Sequence, residues 1–211
     1  MNSNEPQALK NWRTGRRVDL IALRTAASAA DHARWSLQID AHVASLLANV
    51  AGKAIGFCWP YQAEYDPRAQ VLVCLERGAR GALPVVVAPR TPLIFREWNL
   101  ETRMARGVYD IPVPIDSLQI VPDIILIPLV GFDAEGYRLG YGGGFFDRTL
   151  AAMSPRPATI GVGFELSRLE TIYPQWHDIP VDYVLTEKGL YRRDSNRLTL
   201  ASAKPHAALE D

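Results

Sequence analysis

The chain has 211 residues, 48% of them apolar, and 23 Lys and Arg balance 23 Asp and Glu. That is enough for one sizeable α/β core and barely enough for two. The charge balance removes the case for nucleic acid as a main partner, because such affinity rests on neutralising phosphates. No apolar run reaches the roughly 18 residues needed to span a bilayer, so no membrane partner is expected. The opening MNSNEPQALKNWR lacks the apolar segment of a secretory signal. Cys58 and Cys74 each sit in an apolar run. They read as buried thiols of a reducing compartment, and a cytoplasmic location is expected. No Cys/His spacing suggests zinc.

In chain order, residues 6–24 read as a basic helix carrying Lys10, Arg13, Arg16, Arg17 and Arg24. Spacing of i, i+4 and i+11 puts Arg13, Arg17 and Arg24 on roughly one face; taken alone, this also suits a solvated surface helix. A second helix is predicted over 31–50, with Ile39, Val43, Leu46, Leu47 and Val50 as its apolar stripe. AIGFCWP at 54–60 reads as the first strand, and the loop after it holds Glu64. A helix over 67–79 opens on Pro67, which suits a first-turn position. Residues 83–88 read as a buried strand and 92–98 as another. VYDIPVPID is proline-rich and extended, and a strand follows at 123–127.

Next come a glycine-rich stretch, a helix in FFDRTLAAM, and a strand at 159–164. YPQWHDIP reads as a loop holding His177 and Asp178. DYVLTEKGLYRR suggests a closing strand pair turning at Lys188-Gly189. From Asp194 the periodicity fades, so residues 195–211 are expected to form a disordered tail and 1–194 a single domain. Alternating strands and helices argue for a three-layer α/β domain with a mostly parallel sheet.

The stretch richest in chemistry is GFDAEGYRLGYGGGFFDRTL, residues 131–150. Gly140, Gly142, Gly143 and Gly144 crowd around Tyr141. An apolar strand, a glycine loop and a helix together present backbone N–H groups and a helix's positive end to a phosphate. A glycine cluster by itself also suits a flexible turn. No GK[ST] follows and the first-strand G-x-G-x-x-G context is missing, so this is neither a Walker loop nor a Rossmann fingerprint.

Phe132-Asp133, Gly136, Arg138-Leu139-Gly140, Gly142, Gly144 and Phe145-Phe146-Asp147-Arg148 together resemble the signature of the 5-formyltetrahydrofolate cyclo-ligase family. The resemblance extends over residues 10–190, through Trp59-Pro60…Glu64 and through Pro174…His177-Asp178…Asp182…Thr186-Glu187. It implies the fold shared with ribose-phosphate isomerases and CoA transferases. The implied activity is ATP-dependent conversion of 5-formyltetrahydrofolate to 5,10-methenyltetrahydrofolate. Such a reaction needs aligned substrates and a phosphate cradle rather than a protein nucleophile.

By the same resemblance, Lys10, Arg13, Arg17 and the run Arg138, Leu139, Gly140, Tyr141, Gly142, Gly143, Gly144, Phe145 and Phe146 bind ATP. Trp59, Glu64, Tyr109, Tyr141, Phe145 and Phe146 face the reduced folate. Asp147 and Asp178 hold Mg²⁺, and Glu64, Arg138 and Asp147 form the catalytic set. Without the resemblance, Asp147 reads as a first-turn carboxylate on a helix dipole, Asp178 as a turn residue, and Glu64 as a solvated loop carboxylate. Tyr141 and Gly143 stand where many members carry Lys or Arg, and Ser167-Arg168 stand where a Gln is usual. A monomer or small homo-oligomer is expected. The alternatives are a relative that binds ATP or folate without this turnover, or another enzyme of the shared fold.

Overall fold

The computed structural model describes residues 6–201. Helix α1 spans Gln7–Ala26 and α2 spans Ala29–Leu46, within a few residues of the ranges their spacing predicts. Ser28 ends the link between them: its side chain accepts from the Asp31 amide at 3.0 Å, satisfying one of the helix's orphan N–H groups. Strand β1 (Ala54–Gly56), helix α3 (Arg68–Glu76), β2 (Arg80–Val85) and β3 (Ile94–Trp98) follow. A hairpin of β4 (Met104–Arg106) and β5 (Pro112–Pro114) precedes the central strand β6 (Ile124–Pro128). A second small hairpin, β7 (Gly131–Phe132) and β8 (Arg138–Leu139), leads through the glycine loop into α4 (Phe145–Ala152). The chain ends in β9 (Ala158–Val162), β10 (Tyr183–Thr186), β11 (Gly189–Asp194) and β12 (Arg197–Leu200).

The main sheet has 8 strands in the order β12-β11-β10-β9-β6-β1-β2-β3. The run from β10 to β2 is parallel throughout, and antiparallel strands close both edges. Strand β6 shows why the sheet needs two covering layers. Its apolar residues are all buried, but Ile124 and Leu126 pack into one cluster and Ile125 and Ile127 into another. The first cluster takes Ile39 and Val43 of α2 and Val71 of α3; the second takes Leu150 of α4. An apolar run without alternation is what a strand buried on both faces requires. The mostly parallel, helix-covered α/β arrangement predicted from the sequence is the observed one.

Details differ from the sequence reading; strand β2, for one, runs Arg80–Val85 and not 83–88. The first strand stops at Gly56, and 57–65 form an irregular loop. The glycine loop follows β8, not the apolar strand directly, because the β7–β8 hairpin intervenes. The closing strands turn at residues 187–188, since Thr186 already pairs with Gly189. Residues 197–200, expected in a disordered tail, form β12 on the sheet edge and bury Leu198. One buried side chain in a four-residue edge strand is too little alternation to show as a pattern. The rest of the expected tail, 202–211, lies outside the described residues. Among the described residues no helix is long and apolar enough to cross a membrane.

Candidate functional site

A cleft of about 1340 Å³ opens at the carboxyl ends of β1, β2 and β6, where open parallel sheets generally bind ligands. Its walls are residues from α1, the 57–65 loop, the β4–β5 hairpin, the glycine loop with α4, and the segment 176–179.

Helix α1 is not a solvated surface helix. Its arginine face is turned into the protein, and Arg13 and Arg24 are buried despite their charge. The Arg13 guanidinium donates to the carbonyls of Ile172 and Tyr173 and to Asp178 Oδ2 at 2.6 Å. One turn on, Arg17 Nε donates to the Gly140 carbonyl at 2.7 Å and lines the cleft. Arg24 donates to the carbonyls of Gln62 (2.9 Å) and Leu129 (3.1 Å) and to the Tyr141 hydroxyl (2.9 Å). Lys10 is exposed and is not part of the cleft wall.

The loop carrying Glu64 is wound tightly. Gln62 and Ala63 both take positive φ (47° and 58°), a costly conformation for residues with a Cβ. Arg24 holds the Gln62 carbonyl, and His32 Nε2 lies 3.0 Å from the Ala63 carbonyl. This turn places Glu64 inside, not in solvent. Glu64 Oε2 accepts from the Tyr61 amide at 3.0 Å, and Oε1 accepts from the Tyr141 hydroxyl at 2.7 Å. Burial pushes the Glu64 carboxyl above the ordinary value of 4.5, while Tyr141, Arg24 and the Tyr61 amide oppose the shift. Beside it, burial and the Glu64 charge push the Cys58 thiol up; Cys58 is half-buried in the cleft wall, whereas Cys74 is buried as expected.

The glycine loop is a backbone concavity. Gly142 (φ 91°) and Gly144 (φ 61°) take left-handed conformations, and Gly144 caps α4 without a side chain. Arg17 and Arg148, both in the cleft wall, hold the carbonyls of Gly140 and Gly143. Among the described residues, the amide N–H groups of Gly142, Gly143 and Gly144 make no hydrogen bond to the protein. They stand beside the orphan N–H groups of the first turn of α4, an arrangement suited to an anion. Leu139 contributes mainly as core, buried with Leu20, Val130 and Ile172.

Arg138 and Asp147 meet below this loop. Arg138 Nη2 donates to Asp147 Oδ1 at 3.1 Å, its Nη1 donates to the Ile179 carbonyl, and the Ile179 amide donates to the same Asp147 oxygen at 3.0 Å. Burial pushes the Arg138 guanidinium down, and Asp147 and Asp178 oppose it. Asp147 is thus a tie between α4 and the 176–179 segment, more than a carboxylate on a helix dipole. Asp178 Oδ2 is taken by Arg13 and by the Gln175 amide at 2.7 Å. Each predicted metal carboxylate is therefore paired with an arginine.

Among the described residues no group of three or more His, Cys, Asp or Glu could hold a metal unaided. The donor set fits a hard cation held chiefly by phosphate oxygens, as Mg²⁺ is. Asp147 suits that role best, since among the described residues its Oδ2 makes no hydrogen bond; Asp178 has less to offer.

The aromatic residues chosen from the sequence all line the cleft, Trp59 packing with one core cluster and Phe145 and Phe146 with the other. Tyr61 packs edge-on to Tyr141 (centroids 5.6 Å) and near Tyr109 (6.5 Å), while Arg68 sits 4.3 Å over the Trp59 ring. Tyr109 is exposed with φ 59°, and Phe145 and Phe146 pack partly against the core beneath α4. The sequence reading missed Arg24, whose place on the Arg13/Arg17 face was the available signal. It also missed exposed Trp176 at the rim, for which no local signal exists. Thr186 and Glu187 lie outside the cleft and act in structure: Glu187 accepts from the Glu165 amide at 2.9 Å. Ser167 is buried, donating to the Phe164 carbonyl at 2.6 Å, and Arg168 lies between the rings of Phe132 and Tyr191.

Comparison with known proteins bears on the family and the fold. Residues 9–187 match the model of the 5-formyltetrahydrofolate cyclo-ligase family. The chain is similar to the 5-formyltetrahydrofolate cyclo-ligase of Haemophilus influenzae, at 26% identity over 80% of this chain and 94% of that one. It is similar to the enzyme of the same name from Mycolicibacterium smegmatis, at 31% identity over 66% of this chain and 76% of that one. Its fold resembles the solution structure of Aquifex aeolicus 5,10-methenyltetrahydrofolate synthetase, with TM-score 0.74 and 24% identity over 92% of this chain and 99% of that one.

Proposed function

The chain belongs to the 5-formyltetrahydrofolate cyclo-ligase family, and we propose that it converts 5-formyltetrahydrofolate to 5,10-methenyltetrahydrofolate with ATP becoming ADP and phosphate. The observation that carries this reading is the shared cleft. An amide cradle with flanking arginines and a buried carboxylate with aromatic neighbours open into one space. A site for one small anion would need only the first half.

The chemistry suits such a site. A formamide oxygen is a poor leaving group. Attack of that oxygen on the terminal phosphorus of ATP forms a C–O–P link and releases ADP. N10 of the folate then bonds to the formyl carbon, the C–O bond breaks with its electrons leaving on phosphate, and N10 gives up its proton. The product is a conjugated amidinium. Nothing here requires a protein nucleophile; rate comes from alignment and charge stabilisation. Arg17 and the amides of Gly142, Gly143 and Gly144 bind the phosphates in this reading, with Arg13 behind them. Arg138 and Asp147 fix the geometry of the loop's far side. Glu64 accepts from a folate N–H and positions the reacting nitrogen, and Trp59, Tyr61, Tyr109, Phe145 and Phe146 flank the rings. Mg²⁺, where bound, would rest on Asp147 and spread phosphate charge. The protein is expected to act in the cytoplasm, as a monomer or small homo-oligomer.

The test is direct. Purified protein with ATP, Mg²⁺ and 5-formyltetrahydrofolate should develop the near-ultraviolet absorbance of the amidinium, with one ADP per product. Mg²⁺-dependent ATP binding without product would favour the non-cyclising relative. Absence of nucleotide binding would favour another enzyme of the fold.

A further inference from the structure

We propose that Tyr141 is a latch between the two halves of the cleft: a positioning residue that acts through Glu64 and makes occupation of the glycine loop and of the Glu64 pocket mutually favourable. The inference rests on the reading above for the identity of the two ligands.

Tyr141 belongs to the glycine loop by its backbone and to the carboxylate pocket by its side chain. Its neighbours Gly140, Gly142, Gly143 and Gly144 give the loop little side-chain packing of its own; a Cβ added at Gly140 would meet nothing within 4 Å. Hydrogen bonds of the Arg17, Arg148 and Tyr141 side chains help to fix the loop. Arg17 and Arg148 grip its carbonyls, and the Tyr141 hydroxyl reaches across the cleft. That hydroxyl has no freedom of role. It donates to Glu64 Oε1 at 2.7 Å, so its oxygen is available to accept from Arg24 Nη2 at 2.9 Å. Arg24 itself stands 3.8 Å from Glu64 Oε1, too far for a direct hydrogen bond, so the tyrosine oxygen bridges the pair.

The groups facing Glu64 are thus Arg24 from α1, Tyr141 from the glycine loop, and Tyr61 and Cys58 from its own segment. Both Arg24 and Glu64 side chains are about 5% exposed, at 5% and 4%. Hydrogen bonds to a charged group in such surroundings are among the stronger ones. A nucleotide that orders the glycine loop therefore also orders the tyrosine that orients Glu64. A folate that fixes Glu64 fixes the loop in return. Linkage requires the effect to be equal in both directions.

The experiment measures ATP–Mg²⁺ affinity by titration calorimetry with and without saturating 5-formyltetrahydrofolate, using a non-hydrolysable ATP analogue to prevent turnover, and the folate affinity with and without that analogue. In the wild-type protein each ligand should tighten the other by about fivefold or more, a common size for coupling. In Tyr141→Phe the ratio should fall to about one, whatever the change in either affinity alone. A merely structural tyrosine would weaken both ligands and leave the ratio intact. As a second measurement, kcat/KM of the double variant Tyr141→Phe/Glu64→Gln should equal that of Glu64→Gln alone, because Tyr141 acts through Glu64. A wild-type ratio of one, an unchanged ratio in Tyr141→Phe, or additive losses in the double variant would overturn the latch. Wild-type protein that binds neither ligand would overturn the functional reading instead.

Discussion

Replacing Asp178 with Ala removes the carboxylate that balances Arg13, and the cost follows from the geometry. The two side chains are 7% and 11% exposed and meet at 2.6 Å. Breaking a buried pair by deleting one partner typically costs about 3–5 kcal/mol, because the surviving charge loses its close counter-charge. Arg13 keeps the carbonyls of Ile172 and Tyr173, which pulls the value toward the lower end. The Gln175 amide loses its acceptor as well, adding roughly 1 kcal/mol if it finds no water. A loss of about 3 kcal/mol lowers the melting temperature by roughly 6–12 °C in a domain of this size. Urea unfolding and calorimetry at neutral pH measure it. The double variant Arg13→Met/Asp178→Ala should recover part of the loss, since no charge is left unpaired. A single variant within about 1 kcal/mol of wild type, or strictly additive losses in the double, would refute the pairing argument. The result would also separate two roles for Asp178. An anchor lowers stability whether or not Mg²⁺ is present; a metal ligand changes chiefly the Mg²⁺ dependence of activity.

Gly144→Val forces a branched side chain to φ 61°, with its Cβ 2.9 Å from the flexible end of Arg148, so the strain of about 1–2 kcal/mol is chiefly backbone. ATP affinity measured in the folded variant should fall, and wild-type affinity would sink the cradle assignment. Arg17→Met should weaken ATP about tenfold, one charge-assisted contact, with little change in melting temperature; equal affinity in a nucleotide titration would leave Arg17 as a loop brace only. For Glu64, the raised carboxyl means that the folded state holds the proton more tightly than the unfolded chain does. Its contribution to stability is present below the ordinary value of 4.5 and lost as pH rises through the higher folded value. Glu64→Gln should therefore lose less stability than wild type over that rise. Identical pH dependence in thermal unfolding would refute the burial argument.

Local patterns in the chain announced most of its elements. The stripe of Ile39, Val43 and Leu46 in α2, the unbroken apolar run of β6 and the glycines before α4 each reflect forces acting between near neighbours. Periodicity, turn chemistry and helix starts are written over a few residues, and the order of strands and helices then restricts the sheet to a mostly parallel one. Glu64, the glycine loop and Asp147 were identifiable as site candidates for the same reason, through a run of residue types with fixed spacing. Only the tertiary structure decided what those residues do to one another. Arg13 and Asp178 are 165 positions apart, Arg24 and Tyr141 117, and Tyr141 and Glu64 77. No local pattern distinguishes a basic face turned to water from one turned inward, because the difference lies in which acceptors the fold brings to it. The short hairpin β7–β8 and the edge strand β12 were hidden for a simpler reason. β7 and β8 have two residues each and β12 has four, too short a run to leave a periodic mark.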